Sequence, residues 1–157
     1  MNPNTKRCLE THLPDKAKPG TVVPAKAWFD AATAHLRSAR AIMDFDPSGA
    51  ATLAWAAMHK TAKAIAALGG CRIEDETHGK VVDFLLCVYP EMSDMEKGLV
   101  RATSKGRNVA NYDDPRDVDP RLAIAGLALA ERILDASRDQ TPIAPAPRRI
   151  PPPPPKN

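Results

Sequence analysis

Apolar residues recur at helical spacing through most of this chain, and proline or glycine marks the end of each run. One run has its apolar residues one, three or four positions apart and stops at two glycines: Leu53, Ala57, Met58, Ala62, Ile65, Leu68, Gly69 and Gly70. Aromatic residues make up only 4% of the chain, and the alternation of apolar and polar residues that is typical of strands is almost absent. These features predict an all-α fold, an up-and-down bundle of four to five helices.

Five helices follow from the apolar runs and from their start and stop signals. Proline at an opening turn, a side-chain cap, or a reciprocal Ser-x-x-Glu capping box marks four of the predicted starts. The acidic cluster Glu74-Asp75-Glu76 marks the start of the third helix. The first helix is predicted from Pro24 to about Met43 and the second over 48–68, with Asp46 at its cap. The third has His78 in or just before its first turn and ends at Pro90. The fourth begins with the box Ser93 to Glu96 and runs through Tyr112, and the fifth opens at Asp119-Pro120 and ends near Ser137.

The length of 157 residues fits one domain with two tails. Residues 1–22 read as a flexible arm with little that could pack, and residues 24–139 as the helical domain. Residues 140–157 form a proline-rich tail, since eight of the 16 prolines lie there, and it is predicted to be disordered and extended as polyproline II. The tail could bind an aromatic groove of a partner protein, tether the chain near RNA or acidic lipid, or only solubilise it.

The net charge of +3 arises mainly from the tails and one local basic cluster. Residues 24–139 contain 15 Lys and Arg against 17 Asp and Glu, which disfavours a protein that coats duplex DNA. No run approaches a membrane span, and no apolar segment follows the basic N-terminus as in a secretory signal. We therefore expect a cytoplasmic protein that does not associate with a membrane.

Three widely spaced cysteines, Cys8, Cys71 and Cys87, suggest neither a disulfide framework nor a zinc knuckle. They are expected to be reduced. Cys8 and His12 are four residues apart, but two ligands without a second pair are weak support for a metal site. No metal and no cofactor are expected. His59, Lys60 and Lys63 are interpreted as a solvated edge of the second helix.

Basic, amide and phenolic side chains are concentrated in the carboxyl half of the fourth helix. Arg101, Lys105, Asn108 and Tyr112 are separated by four, three and four residues, which aligns them within a narrow arc, and Ser104, Arg107 and Asn111 lie along the adjoining edge. Such a set offers donors for phosphate, amides for base edges and a ring for stacking. The alternative is a solvated helix face with some polar packing.

The segment Arg107-Asn108-Val-Ala-Asn-Tyr112 resembles the signature of the HEPN superfamily of small helical domains. That signature is an arginine, usually followed by a polar residue, and a histidine four to six positions further on. The resemblance covers about residues 26–138, with Trp55 to Leu68 similar to the alanine-rich second helix of the family.

The resemblance implies a homodimer in which two signature helices face each other, often in toxin–antitoxin or defence systems where an antitoxin can be the partner. Active members are metal-independent ribonucleases. Carried over, Arg107 would contact the scissile phosphate and Asn108 would orient that arginine. From their place on the same helix, Arg101, Lys105 and Asn111 are expected to bind RNA or phosphate, and His78 is a candidate cleft residue.

Tyr112 occupies the position of the family's histidine. Tyrosine, with a reference pKa near 10, is ionised to roughly one part in a thousand at neutral pH, and is therefore a poor general base. The sequence thus favours RNA or nucleotide-phosphate binding over cleavage. The rival reading is a catalytically inert dimerisation or adaptor module that recruits a protein through its proline-rich tail. A small-molecule enzyme is disfavoured, because no phosphate-cradling glycine loop, paired carboxylates or metal set is apparent.

Overall fold

Helices form the regular structure of the chain in a computed structural model. It describes residues 1–13, 23–73, 78–112 and 119–139, with the backbone alone at His78 and over 105–112. Six helices lie in these ranges: α1 (Pro3–His12), α2 (Ala25–Ile42), α3 (Pro47–Leu68), α4 (His78–Val88), α5 (Asp94–Tyr112) and α6 (Pro120–Arg138). The predicted all-α class is confirmed.

Predicted cap residues form the expected hydrogen bonds at the starts of α3 and α5. Asp46 Oδ1 accepts a hydrogen bond from the Gly49 amide at 2.8 Å, which caps α3. The capping box of α5 is reciprocal, since the Ser93 amide donates to Glu96 Oε2 at 2.8 Å and the Glu96 amide donates to Ser93 Oγ at 3.3 Å. Each bond satisfies an amide that has no partner within its own helix. Glycine ends α3, and Gly70 takes a φ of +72°, a conformation that favours glycine.

Helix α3 is the centre of the bundle and contacts α2, α5 and α6 along its length. Its alanines make this possible, because a side chain of one carbon allows neighbouring helices to approach closely. The largest fully buried side chains complete the core around these alanines: Trp55, Phe84, Met58, Ile65, Leu85 and Ile133.

The N-terminal arm contributes a sixth helix, so the prediction of a flexible arm was wrong for residues 3–12. Asn2 caps α1 by accepting the Thr5 amide at 2.7 Å. Cys8 and Leu9 are buried in the main core, and α1 packs on α4. The sequence suggested little that could pack, because Cys8 and Leu9 are the apolar residues that α1 buries. Residues 14–22 and the tail over 140–157 lie outside the described residues.

A disulfide joins Cys8 of α1 to Cys87 of α4 across a sequence separation of 79 residues. The expectation of three reduced cysteines was therefore wrong, and only Cys71, which is buried, is a free thiol. The bond also removes Cys8 from any metal pair with His12. Structural disulfides persist mainly in oxidising compartments, so this bond argues against the expected cytoplasmic location.

Candidate functional site

Helix α5 carries the predicted site residues in its last three turns. We call the set Arg101, Lys105, Arg107, Asn108, Asn111 and Tyr112 the signature strip. The backbone of α5 is helical through Tyr112, so the register assumed from the sequence holds over the whole strip. The side chain of Arg101 is described. The side chains of the other five lie outside the described part, as does that of His78, the first residue of α4.

Two contacts fix α5 against α6 and show that they run antiparallel. Glu96, in the first turn of α5, pairs with Arg132 of α6 at 2.5 Å. About two turns later, Thr103 is fully buried against Gly126, where an added Cβ would meet Thr103 Oγ1 at 3.0 Å. The absence of a side chain at Gly126 therefore allows α6 to approach α5 closely. Beyond Thr103, the strip runs toward the start of α6.

The signature strip is at the end of the bundle where α3 and α6 begin. Ala51 of α3 and Ala123 of α6 pack in one buried cluster, which brings the first turns of these two helices together. Helix N-termini carry a partial positive charge that favours anions. Both starts are capped by acidic side chains, Asp46 and Asp119, so part of this positive field is already neutralised.

Arg101 is exposed and makes no ion pair within the described residues. The other cation described in α5, Lys97, lies 3.9 Å from Asp94. Helical register places positions 105, 108 and 112 on the same side of α5 as Arg101. Among the side chains that the structure describes, Arg101 is thus a cation on this side of the helix with no acidic partner.

Position 107 belongs to a different side of α5. It follows Thr103 by four residues and Val100 by seven, and both of these residues are fully buried. Register thus aligns position 107 with the packed side of the helix, about a third of a turn from Arg101. The sequence placed Arg107 at the edge of the polar side, because the pattern does not reveal where the neighbouring helices approach.

A buried polar stripe on α3 was missed by sequence reasoning. Ser48, Trp55 and His59 are spaced by seven and four residues, so they lie on one side of α3, and all three are buried. Ser48 Oγ and Trp55 Nε1 have no hydrogen-bond partner within the described residues. The indole stacks on the imidazole of His59 with 6.3 Å between ring centroids. The spacing was visible in the sequence, but serine, tryptophan and histidine do not form a recognised motif.

The interpretation of His59, Lys60 and Lys63 as a solvated edge was wrong for two of the three. His59 is 8% exposed and Lys63 only 6%. The ammonium groups of Lys60 and Lys63 lie 5.0 and 4.8 Å from the centre of the Trp28 ring. Cation–π attraction and burial of the long aliphatic stems explain why lysines are tolerated here.

His35 provides a pH-dependent contribution to stability. Burial, and then the nearby Lys60 ammonium, lower the pKa of His35 below its ordinary value near 6.5. The unfolded chain therefore binds a proton more readily than the folded chain does. The stability that the neutral imidazole contributes is present above the ordinary pKa and is lost as the pH falls through the lowered pKa.

We accordingly expect that the free energy of unfolding falls between about pH 8 and about pH 5, and that His35→Gln makes the fall smaller. Urea unfolding of both proteins at several pH values measures this difference. Parallel curves for the two proteins would contradict the assignment to His35.

The described ranges contain no cluster of three or more His, Cys, Asp or Glu that could hold a metal ion. Within the same ranges, no helix is both long and apolar enough to cross a membrane. Comparisons of the chain with protein-family models, with curated proteins and with solved structures find no match. The resemblance to the HEPN superfamily therefore rests on the signature segment and on the order of the helices.

Proposed function

We propose that this chain is an RNA- or nucleotide-phosphate-binding homodimer of HEPN type, related to metal-independent ribonucleases of toxin or defence systems. Its cleft is built from Arg107, Asn108 and Tyr112, with Arg101, Lys105 and Asn111 contacting the phosphate backbone. The observation that carries the proposal is that α5 stays helical through Tyr112 at the end of the bundle where α3 and α6 begin. The helix N-termini at this end and the basic residues of the strip support a phosphate ligand.

Binding is favoured over turnover because Tyr112 stands where the resembled family has histidine. Arginine donates two parallel hydrogen bonds to phosphate, and asparagine and tyrosine add hydrogen bonds and a stacking surface. These interactions recognise RNA without moving a proton. Cleavage also requires a group that accepts the proton of the 2′-hydroxyl near neutral pH, which a phenol does poorly.

Substitution Arg107→Ala should weaken binding of a fluorescein-labelled single-stranded RNA about tenfold or more, because a charge-assisted hydrogen bond contributes about 1.5–3 kcal/mol. Fluorescence anisotropy at about 50 mM and about 200 mM salt measures the affinity and its salt dependence. Arg37→Ala is the matched control, since Arg37 is an exposed helical arginine of α2. Binding that Arg107→Ala leaves unchanged, in a folded variant, removes the site assignment.

A cleavage assay in excess EDTA separates binding from catalysis. Wild-type cleavage that Arg107→Ala abolishes would identify a metal-independent nuclease with tyrosine at the histidine position. Cleavage gained only with Tyr112→His would identify a cleft that has lost its base. Absence of cleavage from all three proteins, together with RNA binding, would identify a binding protein.

The rival function is an inert adaptor, and one observation favours it. Position 107 is in register with the buried side of α5, where an arginine can serve polar packing between helices. An adaptor of this kind should ignore RNA at moderate salt and lose its protein partner when residues 141–157 are deleted. RNA binding that is sensitive to Arg107→Ala but not to this deletion would exclude it.

A further inference from the structure

One side of α6 is exposed from the first turn of the helix to the last. The exposed residues on this side recur every three or four positions, so they share one face of the helix. We call this set the outer face of α6: Arg121, Ile124, Ala125, Ala128, Arg132 and Asp135. Ile124 is 58% exposed, whereas the large apolar residues on the other sides of α6, Leu127, Leu129, Ile133 and Leu134, are buried. The outer face therefore carries an isoleucine that the bundle itself does not cover.

Helix α5 continues this apolar surface. Met95 is 81% exposed, and Leu99, one turn later, is partly exposed. Val100, on the opposite flank of α5, is fully buried, and α3 contacts both α5 and α6. The flanks that α5 and α6 turn away from α3 therefore adjoin. Met95 lies at the level of Arg132, because the neighbouring Glu96 pairs with that arginine.

The outer face of α6 is symmetric in position and complementary in charge about Ala128. Arg121 and Asp135 each lie seven positions from Ala128, and Ile124 and Arg132 each lie four positions from it. If two such helices pack antiparallel with Ala128 against Ala128, each Arg121 is opposite an Asp135, and each Ile124 is opposite an Arg132. A two-fold dimer requires a surface that matches itself in this way. Alanine at the centre also allows the two helices to approach closely.

Arg121 and Asp135 stand where the dipole of α6 disfavours their charges. Arg121 is in the first turn, where the partial positive charge of the helix favours acids, and Asp135 is in the last turn, where bases are favoured. Their side chains are 93% and 74% exposed. Helix stability therefore does not explain either charge, whereas pairing across a dimer does.

Both residues have neighbours of opposite charge in their own chain. Arg121 Nε lies 3.9 Å from Asp119, and Asp135 Oδ1 lies 3.5 Å from Arg138. Arg40 also interacts with the Asp135 carboxylate. Exposed pairs of this kind contribute about 0–1 kcal/mol, so they can be exchanged for pairs with a second copy. Since the charges at each end are partly balanced, the exchanged pairs determine the register of the two helices more than the affinity.

We propose that two copies of the chain associate through the outer faces of α6, antiparallel about a two-fold axis at Ala128. Ile124 of one copy packs on Met95 and on the aliphatic stem of Arg132 in the other. Arg121 of each copy pairs with Asp135 of the other. The inference names the surface of the homodimer in the proposed function and rests on that part of it, but it does not depend on RNA binding.

Sedimentation of the full chain over a range of concentrations tests the surface. The wild type should be a dimer. Ala128→Arg places two cations on the two-fold axis and should give a monomer. Ala34→Arg is the matched control, since Ala34 is an exposed alanine of α2, and this variant should remain a dimer. Circular dichroism shows whether each variant is folded.

A charge exchange tests the register. Arg121→Glu alone and Asp135→Arg alone each bring like charges together at both ends of the interface, and each should weaken the dimer about tenfold or more. The double variant Arg121→Glu/Asp135→Arg restores opposite charges and should recover most of the wild-type affinity. Neither substitution should unfold α6, because both new charges suit the helix dipole.

Three results would overturn the proposal. A wild-type dimer that folded Ala128→Arg leaves intact would place the interface on another surface. A double variant no stronger than the single ones would exclude the antiparallel register. A monomeric wild type would exclude the dimer and leave the outer face to a different protein. Fluorescence anisotropy of wild type and Arg107→Ala with RNA is a separate measurement, so failure of this interface and failure of RNA binding can be told apart.

Discussion

Reduction of the bond between Cys8 and Cys87 should lower the free energy of unfolding by about 2–5 kcal/mol. The bond closes a loop of 79 residues, and a loop of this length restricts the unfolded chain strongly. By the chain-entropy relation, restricting the unfolded chain with a loop of this length stabilises the folded state by about 4–5 kcal/mol at 25 °C. This is comparable to a large part of the stability of an ordinary domain.

The effect should be concentrated in α1. This helix has only ten residues and packs mainly on α4, and isolated helices of such length are marginal in water. After reduction, the Asn4 side chain and the apolar contacts of Leu9 are left to hold it. Amide hydrogen exchange in residues 3–12 should therefore accelerate more than exchange in α3, the central helix.

Thermal unfolding with and without a dithiol reductant measures the change. Thiol titration of the denatured chain should find one free thiol before reduction and three after it. The double variant Cys8→Ser/Cys87→Ser should resemble the reduced protein and respond no further to the reductant. Equal stability of oxidised and fully reduced protein would show that the bond contributes nothing, and three thiols before reduction would show that it does not form.

Phe84→Ala should destabilise the bundle by about 3–5 kcal/mol, as phenylalanine truncations in tight cores do. Phe84 lies on α4, is fully buried, and belongs to the main core with Trp55 and Ile133. The loss combines the transfer of an aromatic ring to water with the cavity that the neighbours cannot close. Urea unfolding followed by circular dichroism measures the difference.

Phe45→Ala is the matched control, because Phe45 is 75% exposed in the turn between α2 and α3. The same chemical change there should alter stability by less than about 0.5 kcal/mol. If the two variants lose similar stability, the packing of α4 on the bundle is not as described. A loss confined to Phe84→Ala confirms that the short helix α4 is part of the main core.

The helices could be predicted from the sequence because the signals that start and stop them are local. Asp46 and the Ser93–Glu96 box act within one turn of their own positions, and Pro90 and Gly69 do the same at helix ends. The five predicted helices accordingly agree with α2–α6 to within a residue or two where both limits were given. Helix α1 was missed because its apolar face is short and its stability comes from α4 and from the disulfide.

The candidate site could be predicted only as far as its position on one helix. Spacing aligned Arg101 with positions 105, 108 and 112, and the helical backbone through Tyr112 confirms that register. Spacing could not reveal that position 107 shares the side on which Thr103 packs against Gly126. Nor could it reveal the buried polar stripe of α3, since any one side of a helix becomes buried only when a neighbour covers it.

By itself, the sequence determined that this chain is helical, where α2–α6 begin and end, and which residues share a side of each helix. These properties depend on a period of 3.6 residues and on caps that act within one turn. Tertiary structure decided the pairing of Cys8 with Cys87, the burial of His59 and Lys63, and which side of α6 stays exposed. Each of these depends on side chains that are distant in sequence, and only packing of the helices around α3 brings such side chains together.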